Sequence, residues 1–382
     1  MGDDFVKVQK ITEFKFRGSS SSTNTPKAFS LELTARCNNR CGHCYIGLPA
    51  NDKAAKEKEL SFEQIKSIVD QAVSMGVTGC LLTGGEPLLR DDFFDIYLYL
   101  KKKGLFVSIF TNACLITEEH VKLFKRYPPR DVEVTVYGVT KETYEKVTNV
   151  PGSFDSFMRG LNLLLDNSIK VRFKAMAVRS NLKELEEIKK FCNERTKDYF
   201  RFDPLLHFRY DRNEFRNQMI ASERLTPLEI AQIEKEDLKR FEVLKKNCDN
   251  YIMPEFLDRV TNRLILCGAG NGKFVVTYDG YFKLCSSLHH PDCMYDLKKG
   301  TLKDAWGNFI PKVRTMTSNR KEFLEKCSKC PIINLCLWCP AHAYLESGEL
   351  DKPIDYFCEV AHARAKMLES AVKKKEDEKL LK

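Results

Sequence analysis

The sequence predicts an α/β fold: an open, partial barrel of six strand–helix units followed by a smaller cysteine-rich region. Three observations predict it. Short runs rich in apolar and β-branched residues at 29–35, 79–83, 105–111, 131–137, 170–178 and 199–206 alternate with helical signals, the pattern of parallel β/α units. Six units are two short of a closed eight-fold barrel, so the barrel is read as open. From 263 onward cysteine becomes frequent and the alternation stops.

The elements follow in order. Residues 1–28 hold two short alternations, Val6 with Val8 and Phe14 with Phe16, then a Ser/Thr-rich linker from Gly18 to Pro26. The barrel spans 29–206. Ser61 and Gln64 form a capping box before the stripe Phe62, Ile65, Val69, Ala72 and Val73, and Gly76 stops that helix. Asp91 and Asp92 open a second helix through Leu100, ended by Gly104, and Thr117 opens a third. Phe154, Phe157, Leu161 and Leu164 mark another. Asn181 with Glu184 reads as a second capping box ahead of Leu185, Ile188 and Phe191. Residues 207–262, with Arg209, Arg212, Arg216 and Arg224 and then a Glu/Lys-rich run, read as a helical bridge. The smaller domain is placed at 263–365 and a charged tail at 366–382.

Composition sets bounds. At 382 residues, 43% hydrophobic and 30% charged, the chain suits one large and one small soluble domain. No apolar run approaches the ~18 residues of a membrane span, and no signal peptide opens the chain, so the expected location is the cytoplasm. Fifteen cysteines, an odd number clustered in C-x2-C spacings, fit metal sites rather than a disulfide framework. The net charge of +9 is modest for this length and discriminates little.

Chemistry concentrates first at Cys37-x3-Cys41-x2-Cys44, on a loop leaving the first strand. Three thiolates hold three corners of an iron–sulfur cubane and leave one iron open to a ligand. A fragment of a zinc site is the competing reading, but zinc motifs more often carry paired C-x2-C units. The second motif, Gly84-Gly85-Glu86-Pro87, ends the second strand. Its glycines let a ligand approach the main chain, and its carbonyls and Glu86 suit an ammonium group.

Together these motifs resemble the radical S-adenosylmethionine (SAM) superfamily, whose fold is a partial, six-stranded TIM-like barrel. The resemblance implies that Gly84, Gly85, Glu86 and Pro87 contact the methionine end of SAM. It adds Asn112, at the end of strand three, as a polar contact, the Tyr45 backbone near the adenine, and Lys174 toward the carboxylate. His43, inside the first motif, is expected to pack rather than ligate. The implied reaction is reductive cleavage of SAM on the open iron, with the 5′-deoxyadenosyl radical then removing a hydrogen atom from a substrate.

A third constellation follows. Twelve residues separate Cys267 from Gly280 and four separate Gly280 from Cys285, with Asp279-Gly280 a hairpin turn signal. Then come Cys327-x2-Cys330-x5-Cys336-x2-Cys339 and, past eighteen more residues, Cys358. This resembles the SPASM domain, which holds two auxiliary 4Fe–4S clusters. The family has three residues between the last two cysteines of the central group, where this chain has two. The resemblance implies one cluster on Cys327, Cys330, Cys336 and Cys358, and another on Cys267, Cys285 and Cys339. Cys293 or Cys248 completes the second, or it stays open. Cys80, Cys114 and Cys192 read as small buried hydrophobes.

Enzymes resembling this architecture mostly modify peptides and proteins, so the leading expectation is maturation of a ribosomally made peptide. Sulfatase maturation is disfavoured, because Ser286 stands where those enzymes place an Asp after the hairpin cysteine. Oxidoreductase chemistry on a small molecule in cofactor or natural-product biosynthesis is the alternative, and a non-enzymatic electron carrier comes from another class. The carrier gives the Gly-Gly-Glu-Pro turn no role. Expected partners are an external one-electron reductant of the flavodoxin or ferredoxin type and, for a peptide, a separate recognition protein or the Arg-rich 207–224 segment. No RNA-binding module or basic–aromatic stripe is evident, so nucleic acid is not expected. Asp203, Tyr137, His207 and Glu359 are candidates for an acid or base, none of them singled out.

Overall fold

All six predicted barrel strands form and lie side by side in a computed structural model that describes residues 25–246, 262–336 and 338–380. The strand-like stretch at 1–17 and Cys248 fall outside the described residues. The strands are β1 (Ala28–Glu32), β2 (Gly79–Thr83), β3 (Phe106–Thr111), β4 (Asp131–Thr135), β5 (Val171–Met176) and β6 (Arg201–Asp203). Each is parallel to the next, with Leu31 opposite Leu82 and Leu82 opposite Ile109. β6 is shorter than the predicted 199–206, and Pro204, which has no N–H for the ladder, follows it directly.

The helices between them are α1 (Phe62–Ser74), α2 (Phe93–Lys102), α3 (Glu118–Arg126), α4 (Lys141–Thr148), α5 (Ser153–Asp166) and α6 (Leu185–Arg195). The predicted box opens α1: Gln64 N–H donates to Ser61 Oγ at 3.3 Å and Ser61 N–H to Gln64 Oε1 at 2.8 Å. Ile65, Ile68, Val69 and Ala72 then bury one face of α1. α4 is absent from the helices read from the sequence. It is held by Tyr144, buried and stacked on Phe157 of α5 at 4.7 Å.

The second predicted box does not form. Asn181 is 1% exposed, its Oδ1 accepts from Val178 N–H, and its amide donates to the Tyr137 and Met176 carbonyls at 3.0 Å. Glu184 instead accepts from Val139 N–H at 2.9 Å. Loose backbone groups after β4 and β5 outcompete the helix for these side chains, because a buried carbonyl without a partner is costly. The α-helix accordingly begins only at Leu185.

The cysteine-rich region joins the same sheet. β7 (Lys273–Val276) runs parallel to β1, with Ala28 opposite Lys273. β8 (Tyr281–Lys283) returns antiparallel through the predicted Asp279–Gly280 turn, where Gly280 has φ +93°, and β9 (Tyr295–Asp296) pairs with β8. The nine strands run β9-β8-β7-β1-β2-β3-β4-β5-β6.

The bridge supplies α7 (Glu214–Glu223), α8 (Pro227–Glu236) and α9 (Leu238–Lys246), and the C-terminal part supplies α10 (Pro340–Ser347) and α11 (Asp355–Leu380). Arg364 of α11 grips Glu234 of α8 with two bonds of 2.7 and 2.6 Å, both side chains buried. Such a bidentate pair holds only while both partners are present. Among the described residues no helix is long and apolar enough to cross a membrane.

One buried side chain makes stability depend on pH. His120 Nδ1 accepts from Thr117 N–H at 3.3 Å, and burial lowers its pKa to about 4. The unfolded chain takes up this proton near the ordinary value of ~6.5, whereas the folded chain resists it. His120 is therefore expected to cost stability progressively as pH falls from about 6.5 to about 4, and to contribute no slope above that range. Denaturation midpoints of wild type and His120→Gln, compared at several pH values, should show the variant's acid slope smaller by up to ~1.4 kcal/mol per pH unit. Equal slopes would refute it.

Candidate active site and cysteine groups

The parallel strands end at a cavity of about 580 Å³ whose wall includes Cys37, Cys41 and Cys44. Arginines fix this loop at both ends. Arg36 pairs with Glu59 at 2.7 Å and donates to the Ala50 carbonyl, while Arg90 donates to the Leu33 and Leu60 carbonyls. At the exit Arg209, 2% exposed, donates to the carbonyls of Cys44 and Gly47, both at 3.2 Å. Short-range spacing carries no trace of these ties, since Arg209 lies 165 residues from Cys44.

The sulfurs face donors. Asn39 N–H points at Cys37 Sγ (3.4 Å), Gly47 N–H at Cys44 Sγ (3.1 Å), and the Asn112 amide reaches Cys37 Sγ at 3.7 Å. Burial pushes the Cys37 thiol well up, with the charges of Glu86, Cys41 and Cys44 adding, and burial likewise raises Cys41. A buried thiol group of this kind ionises only against a positive centre, which then also binds it. The Asn39 amide and His43 Nδ1 are buried without a hydrogen-bond partner beside the same loop. Donors aimed at sulfur, mutually repelling thiolates and orphaned polar atoms all fit a bound metal cluster.

Gly84 and Gly85 line the cavity, but packing explains their lack of a side chain. A Cβ on Gly84 would stand 2.3 Å from the Thr34 carbonyl oxygen, and one on Gly85 2.2 Å from that of Arg36. The turn after β2 thus nests against the chain leading into the cysteine loop, tied by Gly85 N–H to Thr34 O (2.7 Å) and Glu86 N–H to Arg36 O (2.9 Å). Glu86 and Pro87 are buried behind this turn and do not reach the cavity wall. The Glu86 carboxylate accepts from Leu88 N–H, Thr111 Oγ1 and Asn112 N–H, joining the ends of β2 and β3, and burial raises its pKa to about 7. Its side chain, expected to suit an ammonium group, here braces two strand ends rather than lining the cavity.

The other expected contacts do face the cavity. Asn112 donates to Asn38 Oδ1 at 2.8 Å, and Tyr45 packs on His207 and Tyr210 at 4.5 and 4.9 Å. Lys174 sits 3.5 Å over the Phe110 ring and 3.2 Å from Glu133, and burial lowers its pKa. Of the acid–base candidates, Tyr137, Asp203 and His207 line the cavity and Glu359 does not. Two of the four arginines in 207–224 are engaged inside the protein, Arg209 as described and Arg224 with Glu346 and the Leu206 carbonyl. Arg216 lines the cavity.

The remaining cysteines fall into two neighbourhoods. Burial carries Cys327 to about 12 and Cys336 to about 11, the charges of Cys330 and Cys358 adding to both, and burial with the charge of Cys330 raises Cys358. Cys285, Cys267 and Cys339 form the other, where burial takes Cys339 to about 12. Backbone N–H groups of Trp338 and His342 point at Cys336 and Cys339 Sγ, each at 3.4 Å. Cys293 is fully buried within reach of the charge on Cys285 and has its Sγ 3.7 Å from Met316 Sδ. Ser286 and Ser287, just past Cys285, and His342, just past Cys339, line the central cavity. The second neighbourhood therefore borders the space that the Cys37 loop also faces.

Comparison with known proteins places this geometry. The family model described as "Radical SAM superfamily" matches residues 31–192. The AdoMet-dependent heme synthase of Methanosarcina barkeri is 24% identical over 348 residues, covering 86% of this chain and 95% of that protein. The antilisterial bacteriocin subtilosin biosynthesis protein AlbA of Bacillus subtilis is 25% identical over 327 residues, covering 82% and 67%. Among solved structures, Streptococcus suis SuiB bound to S-adenosylmethionine superposes with a TM-score of 0.62 at 15% identity, covering 88% of this chain and 75% of that one. The last likeness is one of fold.

Proposed function

We propose that this chain, a radical SAM superfamily enzyme, carries a C-terminal cysteine-rich region of the SPASM kind and cleaves SAM reductively to take a hydrogen atom from a peptide undergoing maturation. SAM and a 4Fe–4S cluster follow from the family. The single observation that carries the proposal is the meeting of the three loop thiols and the Gly84–Gly85 turn on one cavity. Cys37, Cys41 and Cys44 would hold the cluster, which when bound supplies one electron to the sulfonium of SAM and so releases a 5′-deoxyadenosyl radical.

The chain's own residues bind, orient and shield. Asn112, fixed to Asn38, offers its side chain beside the thiols. Lys174, held by Glu133 at 3.2 Å, lines the cavity as a donor that could also meet a carboxylate. Tyr45 and His207 line the cavity with their rings, Tyr210 packing behind Tyr45, and so displace water from the reacting region. Cys327, Cys330, Cys336 and Cys358 would hold one auxiliary cluster, and Cys267, Cys285 and Cys339 a second bordering the cavity, with Cys293 nearby as a fourth thiol. A peptide substrate is supported by the match to the subtilosin biosynthesis protein.

A small-molecule substrate is the second reading, favoured by the match along 95% of the heme synthase. Protein reconstituted anaerobically is expected to hold close to three cubanes and to form 5′-deoxyadenosine from SAM under strong reductant. Iron near one cubane per chain would sink the auxiliary assignment. A short reading frame with a cysteine-rich or repeated core beside the gene, whose product loses hydrogen in this assay by mass spectrometry, would support the peptide. Neighbouring biosynthetic enzymes with no such frame would overturn it.

A further inference from the structure

Lys283, the last residue of β8, is 0% exposed, which is rare for a lysine. Its Nζ donates to the Ser286 carbonyl at 3.0 Å and to His289 Nδ1 at 3.3 Å, and lies 4.5 Å over the Tyr210 ring. Glu32, at the end of β1, brings Oε1 to 4.0 Å. Glu32 lines the cavity, as does Ser286. The Ser286 carbonyl that Lys283 holds belongs to the residue next to Cys285. A buried lysine thus stands between a cavity-wall carboxylate and the loop that carries the hairpin thiol.

We infer that Lys283 is a positioning residue that raises the reduction potential of the centre held through Cys285, with Glu32 as the charge that opposes it. The inference rests on the reading that Cys285 ligates an auxiliary cluster. Taking one electron from the external reductant makes that centre one unit more negative. An ammonium in a poorly screened interior stabilises the added charge, and a nearby carboxylate destabilises it. Lys283 also carries the Ser286 carbonyl, so the same contact fixes the loop that closes the cavity beside Cys285. A purely structural pin would perform the second task without the first.

The two charges give opposite signs, which makes the test sharp. Full-length protein is reconstituted anaerobically, its iron counted, and its centres followed by EPR during redox potentiometry. Lys283→Met should lower the midpoint of one auxiliary centre, cutting its reduced-to-oxidised ratio at fixed potential about tenfold, or about 59 mV for one electron. Glu32→Gln should raise the same midpoint, and Lys283→Arg should hold it near wild type. The centre at Cys327, Cys330, Cys336 and Cys358 should not move. Unchanged midpoints in Lys283→Met and Glu32→Gln, or equal shifts of both auxiliary centres, would overturn the inference. If Lys283→Met does not fold, a Glu32→Gln midpoint at or below wild type overturns it alone. Wild-type iron below two auxiliary cubanes would instead overturn the ligand reading beneath it.

Discussion

Replacing Cys37, Cys41 and Cys44 together by alanine is expected to reduce 5′-deoxyadenosine formation to background while leaving most of the iron in place. From about twelve irons per chain, about eight should remain, because a cubane carries four and the other cysteines are untouched. The fold should survive. The loop's path is set by Arg36 with Glu59, by Arg90 and by Arg209, none of which uses a sulfur atom. Alanine also removes thiols whose charged forms repel one another, so loss of stability is not the expected outcome. SAM turnover by chromatography and iron by colorimetric assay decide the matter. Retained cleavage would refute the loop as the cluster site, and loss of all iron would show that the three centres do not load independently.

Gly85→Ala should destabilise the protein by about 3 kcal/mol, more than a surface glycine would. Its Cβ would meet the Arg36 carbonyl oxygen at 2.2 Å and that of Ala35 at 2.7 Å, both main-chain atoms that cannot rotate away. Gly84→Ala adds a backbone penalty at φ +140° to a contact of 2.3 Å. Gly76→Ala is the control: it shares a positive φ, +89°, but has nothing within 4 Å, and should cost only about 1 kcal/mol. Chemical denaturation of the three metal-free variants ranks them. A Gly85→Ala protein as stable as the control would mean the turn does not nest against the cysteine loop. In the reconstituted protein the same substitution should displace Cys37, next to Arg36, and lower iron occupancy without removing a ligand.

What was legible in the sequence was what short spacing encodes. The six barrel strands, the box at Ser61 and Gln64, the hairpin at Asp279–Gly280 and the three-thiol loop all depend on residues a few positions apart. What was not legible depends on distant partners. Asn181 and Glu184 have the letters of a cap, but buried carbonyls after β4 and β5 claim the asparagine. Glu86 reads as a ligand contact from its turn, while its bracing of two strand ends depends on Thr111 and Asn112, 25 and 26 residues away. Lys283 gave no signal at all, since a lysine in a hairpin is ordinarily solvated, and only the closure of Glu32, His289 and Tyr210 around it makes it notable.

The parallel seam between β7 and β1 bears on how this enzyme can be taken apart. β1 carries the cysteine loop at its end and has β2 on one side and β7 on the other. A chain cut ahead of Lys273 would leave β1 as a bare edge, its amides open to pairing with another molecule. The two cysteine regions are accordingly poor candidates for modular exchange among relatives. Grafting a foreign C-terminal half onto this barrel would require the newcomer to supply a strand in register with Ala28–Leu31, and a graft without one would be an aggregation-prone protein before it was an inactive one.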